Sequence, residues 1–295
     1  MTNLPELLES WRLAMRAEHK APGTVRTYTA GITAYLRWCA ATGRPAVLTA
    51  EAARTFIADM LAAGAQPATA HARHKALRRF TAWLTAEGEL DADPLAGSRP
   101  PRLDTKLVDA LTDDQLRALI AACHGKKFVD RRDEAAVRFM AETGSRAAET
   151  LDMTVGDVDL ARGLAAIRRG KGGKGRTVPF GAQTAAALDR YLRARRQHRL
   201  ADTSALWLGG GGKTFGYHGL DDALKLRARA AGIDGFHLHR LRHTAATRWL
   251  AAGGSEGGLM AVAGWARRDM IDRYTGASAA ERAAAEARTL GLGDL

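Results

Sequence analysis

The sequence predicts two domains: an N-terminal all-α helical bundle, then a C-terminal mixed, helix-rich α+β domain with a small antiparallel sheet. Three observations predict this. Helical spacing broken by glycine and proline runs from Leu4 to Glu89, a proline-containing stretch follows, and over residues 155–180 the apolar period shortens before helical spacing resumes.

In the first domain, Tyr28, Ile32, Tyr35, Leu36 and Cys39 recur three and four residues apart, and Ala76, Leu77, Phe80, Trp83 and Leu84 repeat the pattern. Four or five short helices are expected, with Thr24, Thr49 and Thr69 capping successive segments and the aromatics mostly in the core. Asp91 to Arg102 holds three prolines, turn formers and little apolar periodicity, which reads as a linker. The expected boundaries are 1–96 for the helical domain, 97–110 for the linker and 111–295 for the second domain.

Beyond the linker, Leu111-Thr-Asp-Asp-Gln marks a capped helix start, and Asp133 to Thr143 a helix closed by Gly144. Val155 to Asp159, Leu164 to Arg168 and Arg176 to Phe180 are short, β-branched or alternating, and separated by glycine-rich turns, so they form the expected sheet. Gln183 to His198, Tyr217 to Ala231, Leu241 to Ala252 and Met270 onward return to helical spacing, ending in an alanine-rich tail helix over 279–290.

With 295 residues, 46% of them apolar, both domains can build a core, which excludes a mostly disordered chain. The net charge of +12 and pI near 10.2 call for a polyanionic partner, nucleic acid first. Residues 1–100 contribute +3 of that charge and the remainder +9. No apolar run approaches the roughly 18 residues of a membrane span and no N-terminal signal region appears, so no membrane partner and a cytoplasmic, nucleoid-associated location are expected. Cys39 and Cys123 are far apart and lack metal-spaced companions, and both read as small core residues.

Two glycine motifs fail their structural tests. Gly170-Lys-Gly-Gly-Lys-Gly175 has dinucleotide-loop spacing but joins two strand-like segments instead of opening a helix, and the Gly-Lys-Thr ending at Thr214 would put the first P-loop glycine at Trp207. His237, His239 and His243 have no carboxylate or thiol nearby to complete a metal site, so neither metal nor cofactor is expected. His237 reads as a surface or helix-entry residue.

The most specific block is His239-Arg-Leu-Arg242-His243-Thr-Ala-Ala-Thr247, which opens a helix and places His239, Arg242 and His243 on one face. Alone it is an ordinary solvated basic face. Its neighbours change that: Thr143-Gly-Ser-Arg146-Ala-Ala-Glu149 projects an arginine just past a helix-ending glycine with an acid positioned to orient it, and Gly264-Trp265 precedes Tyr274 by nine residues. The bland reading of Arg146 and Glu149 is a surface ion pair worth tenths of a kcal/mol.

These blocks, together with the strand-turn-strand run GKGGKGRTVPF, resemble the tyrosine recombinases in order and spacing. The resemblance covers nearly the whole chain, because TVRTYTAGITAYLRWCAATG and KALRRFTAWLTAEGELDADP are similar to that family's SAM-like core-binding domain. It implies that Arg146 is the first catalytic arginine, Glu149 its supporting acid and Lys171 the hairpin lysine, followed by His239 and Arg242, with Tyr274 as nucleophile. Lys174 competes for the hairpin role, but Lys171 directly follows the strand. Trp265 stands where most members have histidine; an indole N–H can donate to a phosphate oxygen but cannot exchange a proton, which leaves the acceptor of the Tyr274 proton open.

The implied activity is site-specific cleavage and rejoining of DNA through a 3′-phosphotyrosine, in the integration or excision of a mobile element or phage, with neither ATP nor metal. Guanidinium forks bind the charge that builds on the phosphate, His239 is expected to assist ionisation of the phenol, and Lys171 to protonate the departing 5′ oxygen. The implied partners are a double-stranded recombination site, three further copies in a homotetramer on DNA formed from a free monomer or weak dimer, and a directionality factor. Arg73, Lys75, Arg78 and Arg79, with Lys174 and Arg176, are candidate DNA contacts, although the first four also read as a solvated helix face. Since the chain opens on the core-binding pattern, an additional arm-binding domain is not expected. A type IB topoisomerase and an inactive DNA-binding regulator are the rival functions.

Overall fold

Amphipathic spacing folds the first part of the chain into four helices, α1 (Leu4–Ala17), α2 (Pro22–Thr42), α3 (Ala50–Ala62) and α4 (Pro67–Ala86). The computed structural model describes residues 3–103, 110–168, 175–275 and 287–288, and divides into two units, Met1–Lys106 and Leu107–Leu295. Lys171, Lys174 and all but two residues of the expected tail helix lie outside the described residues.

Thr49 caps α3, its hydroxyl accepting from the Ala52 N–H at 3.0 Å. Thr24 and Thr69 do not cap; they lie inside α2 and α4, which open on Pro22 and Pro67. Proline's fixed φ and missing N–H suit the first helical turn, so it starts these helices ahead of the threonines. Trp11, Ile32, Tyr35, Phe56, Leu77, Phe80 and Leu84 form the core of this unit.

The second unit contains α5 (Asp113–Ala121), α6 (Phe128–Thr143), α7 (Ala147–Leu151), strands β1 (Val158–Asp159), β2 (Leu164–Ile167) and β3 (Arg176–Pro179), then α8 (Ala182–Arg195), α9 (Tyr217–Ala230), α10 (Leu238–Ala251), α11 (Glu256–Ala263) and α12 (Asp269–Thr275). The strands form an antiparallel sheet in the order β1-β2-β3, with Val158 opposite Ala165 and Ala165 opposite Val178. The fold class is the predicted one, an all-α bundle followed by an α+β domain.

Three local departures have physical causes. Val155–Asp157 is a 3₁₀ turn instead of strand, because the Asp157 carboxylate accepts from both the Thr154 N–H (2.8 Å) and its hydroxyl (2.7 Å) and closes the chain on itself. Helix α6 starts five residues before the expected Asp133. Its hidden turn carries buried charges that mask the apolar period: Arg132 pairs with Asp133 at 2.7 Å, and Arg227 of α9 pairs with Asp130 and Asp133 at 2.7 and 3.0 Å. Helices α7 and α11 are additions to the expected elements; α7 has five residues, and α11 reads EGGLMAVA, whose glycines weaken the helical signal.

Leu119, Phe139, Met140, Ile167, Val178, Leu188 and Tyr191 fill the main core, and both cysteines are buried and free. A second cluster of Ala246, Leu250, Leu259, Ala263, Trp265 and Ile271 ties α10, α11 and α12 together. Among the described residues no helix is long and apolar enough to cross a membrane, and no group of ligating side chains could hold a metal ion.

Candidate active site

The site is assembled from helix ends. Gly144 terminates α6 with φ of 62°, a left-handed conformation that glycine adopts without strain, and the turn brings Arg146 to the N-cap of α7. Buried hydroxyls fix this turn: Ser145 Oγ lies 2.8 Å from Thr150 Oγ1, which donates to the Arg146 carbonyl at 3.0 Å. Glu149 then accepts from both the Arg146 N–H (3.0 Å) and its guanidinium (2.6 Å).

Arg176 of β3 completes this arrangement. Its Nη2 donates to Glu149 at 2.7 Å and its Nε to the Val262 carbonyl at 2.7 Å. Burial alone would raise the Glu149 carboxyl, but the hydrogen bonds from Arg176 and Arg146 outweigh it and hold the group below the usual carboxylate range. Glycine is needed at 264, where φ is 65° and an added Cβ would stand 3.0 Å from Arg176 Nη1. Expected among the DNA-contacting residues, Arg176 is instead turned inward, with a side chain only 10% exposed.

Arg242 of α10 is almost fully buried and donates to the Gly144 carbonyl at 2.5 Å and the Ala263 carbonyl at 2.7 Å. Burial, and next the nearby Arg146, lower its pKa to about 10, so the guanidinium stays charged at neutral pH. Val262 and Ala263 stand at the C-terminus of α11, whose last carbonyls lack intrahelical partners and carry the negative end of the helix dipole. Two site arginines satisfy two of them and fix the segment that leads to Trp265 and Tyr274.

Tyr274 lies between two aromatic neighbours. Its ring stacks on Trp265 at 5.4 Å between centroids with 21° between planes, and its hydroxyl hydrogen-bonds to Nδ1 of His243. The His243 ring meets His239 edge-on at 4.5 Å, and His239 itself is exposed. The Arg242 guanidinium sits 5.2 Å above the Trp265 ring. The indole N–H of Trp265 is buried and has no hydrogen-bond partner among the described residues.

The remaining tyrosines do not present a nucleophile. Tyr35 and Tyr191 are fully buried and donate to the Val47 and Leu206 carbonyls, and burial pushes Tyr191 up to about 12. Tyr28 packs against Trp11, and Tyr217 is 53% exposed without a catalytic block beside it.

The structure thus gathers Arg146, Glu149, Arg242, His239, Trp265 and Tyr274, while Lys171 and Lys174 fall outside the described residues. In the first unit, Lys75, Arg78 and Arg79 share the exposed face of α4. Arg73 does not; it lines a groove of about 630 Å³ with Arg12, Arg16, Lys20, Arg26 and Arg37. Sequence reasoning misses that groove, since its cations come from separate segments. It also misses the contact between His243 and Tyr274, although His243 shares a helix face with His239 and Arg242.

Comparison with known proteins decides the family. The phage integrase family model matches residues 109–281, and the N-terminal SAM-like domain of phage integrases matches residues 7–88. The chain belongs to the phage integrase family. It is a site-specific tyrosine recombinase, similar to tyrosine recombinase XerC of Chromohalobacter salexigens, with 31% identity over 260 residues that cover 87% of this chain and 86% of the relative. XerC of Mycobacterium tuberculosis is 35% identical over 215 residues, 70% of this chain and 71% of the relative. Among solved structures, a lambda integrase dimer bound to a COC′ core site covers 90% of this chain and 96% of its own with a TM-score of 0.72; at 16% identity this is a likeness of fold.

Proposed function

We propose that Tyr274 attacks a phosphodiester at a short specific DNA site and holds the strand as a 3′-phosphotyrosine, in a recombination that integrates or excises a mobile element or phage genome. The observation that supports this reading is the placement of the Tyr274 hydroxyl against α10, the helix that also carries His239 and Arg242, with Arg146 close enough to Arg242 to depress its pKa.

As the phenolate oxygen bonds to phosphorus, negative charge grows on the nonbridging oxygens, and Arg146 and Arg242 clamp it. Loss of either donor costs about 100- to 1,000-fold in rate. Glu149 holds Arg146 in place. Lys171 protonates the 5′ oxygen as the P–O bond breaks, and a 5′ hydroxyl of the partner strand later reverses the step. Trp265 fills the position held by histidine in most members of the family as a packing platform under the Tyr274 ring.

Residues 1–96 serve as the core-binding domain and 111–295 as the catalytic domain, joined by the linker 97–110, and each contacts duplex DNA. The Arg73 groove and the exposed Lys75, Arg78 and Arg79 supply phosphate contacts, so affinity falls steeply with salt. On DNA the active species is a homotetramer, with a directionality factor choosing between integration and excision.

Tyr274→Phe tests the reading: it should bind site DNA normally and form no covalent adduct on a nicked suicide substrate. An adduct that survives removes Tyr274 from the nucleophile role, and relaxation of plasmids lacking any specific site would favour a type IB topoisomerase instead.

A further inference from the structure

We propose that His243 is the residue that takes the proton from Tyr274, a role that the family resemblance suggests for His239. This rests on Tyr274 as nucleophile. The Tyr274 hydroxyl hydrogen-bonds to Nδ1 of His243, and with the neutral imidazole protonated on Nε2 that nitrogen accepts from the phenol O–H. Among the described residues, geometry favours His243 over the other groups around the phenol. Trp265 covers one face of the Tyr274 ring and has no exchangeable acceptor, and the Arg242 guanidinium donates to two backbone carbonyls, stays charged and offers no acceptor. His239 contacts the edge of the His243 ring at 4.5 Å, so it stands beside the acceptor.

The step balances. The proton passes from the phenol to Nδ1, the phenolate oxygen bonds to phosphorus, and the P–O5′ bond breaks with its oxygen protonated by the hairpin lysine. In the reverse reaction a 5′ hydroxyl attacks phosphorus and returns its proton to the hairpin lysine, and the departing phenolate recovers its proton from the His243 imidazolium. Exposed His239 would help hold the arriving phosphate through a ring N–H, and the substitution of tryptophan for the usual histidine at 265 leaves the proton to α10.

The test replaces Tyr274 with 2,3-difluorotyrosine, whose phenol ionises far more readily, and measures single-turnover cleavage of a suicide DNA site by the full chain. In the natural tyrosine background His243→Ala and His243→Gln should both lose about 100- to 10,000-fold in cleavage while binding site DNA. With the fluorinated phenol most of that loss should disappear, because the nucleophile no longer needs a base. A His243 defect that persists with difluorotyrosine overturns the proposal, as does a pattern in which His239→Ala alone is rescued. If wild-type enzyme forms its adduct at a residue other than Tyr274, the nucleophile reading itself fails, and peptide mapping of the adduct separates that outcome from the others.

Discussion

Arg176 on β3 and Glu149 on α7 are joined by a 2.7 Å hydrogen bond across 27 residues of chain. The same guanidinium holds the Val262 carbonyl, so one side chain couples the hairpin strand, the carboxylate that orients Arg146 and the end of α11. A phosphate contact and a positioning residue then make different predictions. Removing a phosphate contact lowers the salt slope of DNA binding by about one, whereas removing a positioning residue leaves that slope alone. Arg176→Ala should keep the wild-type slope and lose about tenfold or more in cleavage, since small misplacements of catalytic groups are costly. A slope reduced by about one with unchanged single-turnover cleavage would return Arg176 to the DNA surface.

Glu149 makes a pH-dependent contribution whose sign follows from its depressed pKa. Such a carboxyl stabilises the fold fully above its unfolded value, near 4.3, and the contribution is lost as pH falls through the lower folded value. Glu149→Gln strands two arginines, so at neutral pH it should unfold with about 2–4 kcal/mol less free energy. Urea titrations from neutral pH to about pH 3.5 should show the gap to wild type narrowing at the acid end. A gap that stays constant would mean that shape, not the carboxylate charge, carries the effect.

Arg242 cannot be replaced by another cation. Its fork spans the carbonyls of Gly144 and Ala263 while remaining charged, a geometry a single ammonium does not reproduce. Arg242→Lys should reduce cleavage about 100- to 1,000-fold. It should also cost about 1–3 kcal/mol of stability through the stranded carbonyls. Near-normal single-turnover rates in the lysine variant would show that a point charge suffices.

Much of this architecture is legible in the local chemistry of the sequence. The capping box at Thr112 and Gln115, the glycine stop at 144 and the shared face of His239, Arg242 and His243 depend on short-range spacing, and each is present. What escapes depends on distant partners. Arg176 reads as one more basic residue after a glycine-rich turn, and only the fold places Glu149 and Val262 against it. The start of α6 is hidden because Asp130, Arg132 and Asp133 are polar in sequence yet held inside through pairs, two of them with Arg227 nearly a hundred residues away. His243 stands in the most specific block of the chain, but choosing it over His239 requires the position of Tyr274.

Trp265 divides two explanations of its position. Its ring lies under Tyr274 and beside Arg242, whereas its indole N–H is buried with no hydrogen-bond partner among the described residues. A packing role needs the ring; a phosphate-donor role needs the N–H, which must first become accessible. Trp265→Phe keeps a stacking face and removes the buried unpaired donor, so it should hold cleavage within about tenfold of wild type and leave stability little changed. Trp265→Ala empties the cluster between α10 and α12 and should cost about 3–5 kcal/mol, with a large loss of cleavage because Tyr274 loses its platform. Thermal unfolding and suicide-substrate cleavage measure both variants. If phenylalanine instead loses about 100-fold or more, as expected for a positioned donor to the transition state, the indole N–H reaches the phosphate when DNA binds and the packing account is wrong.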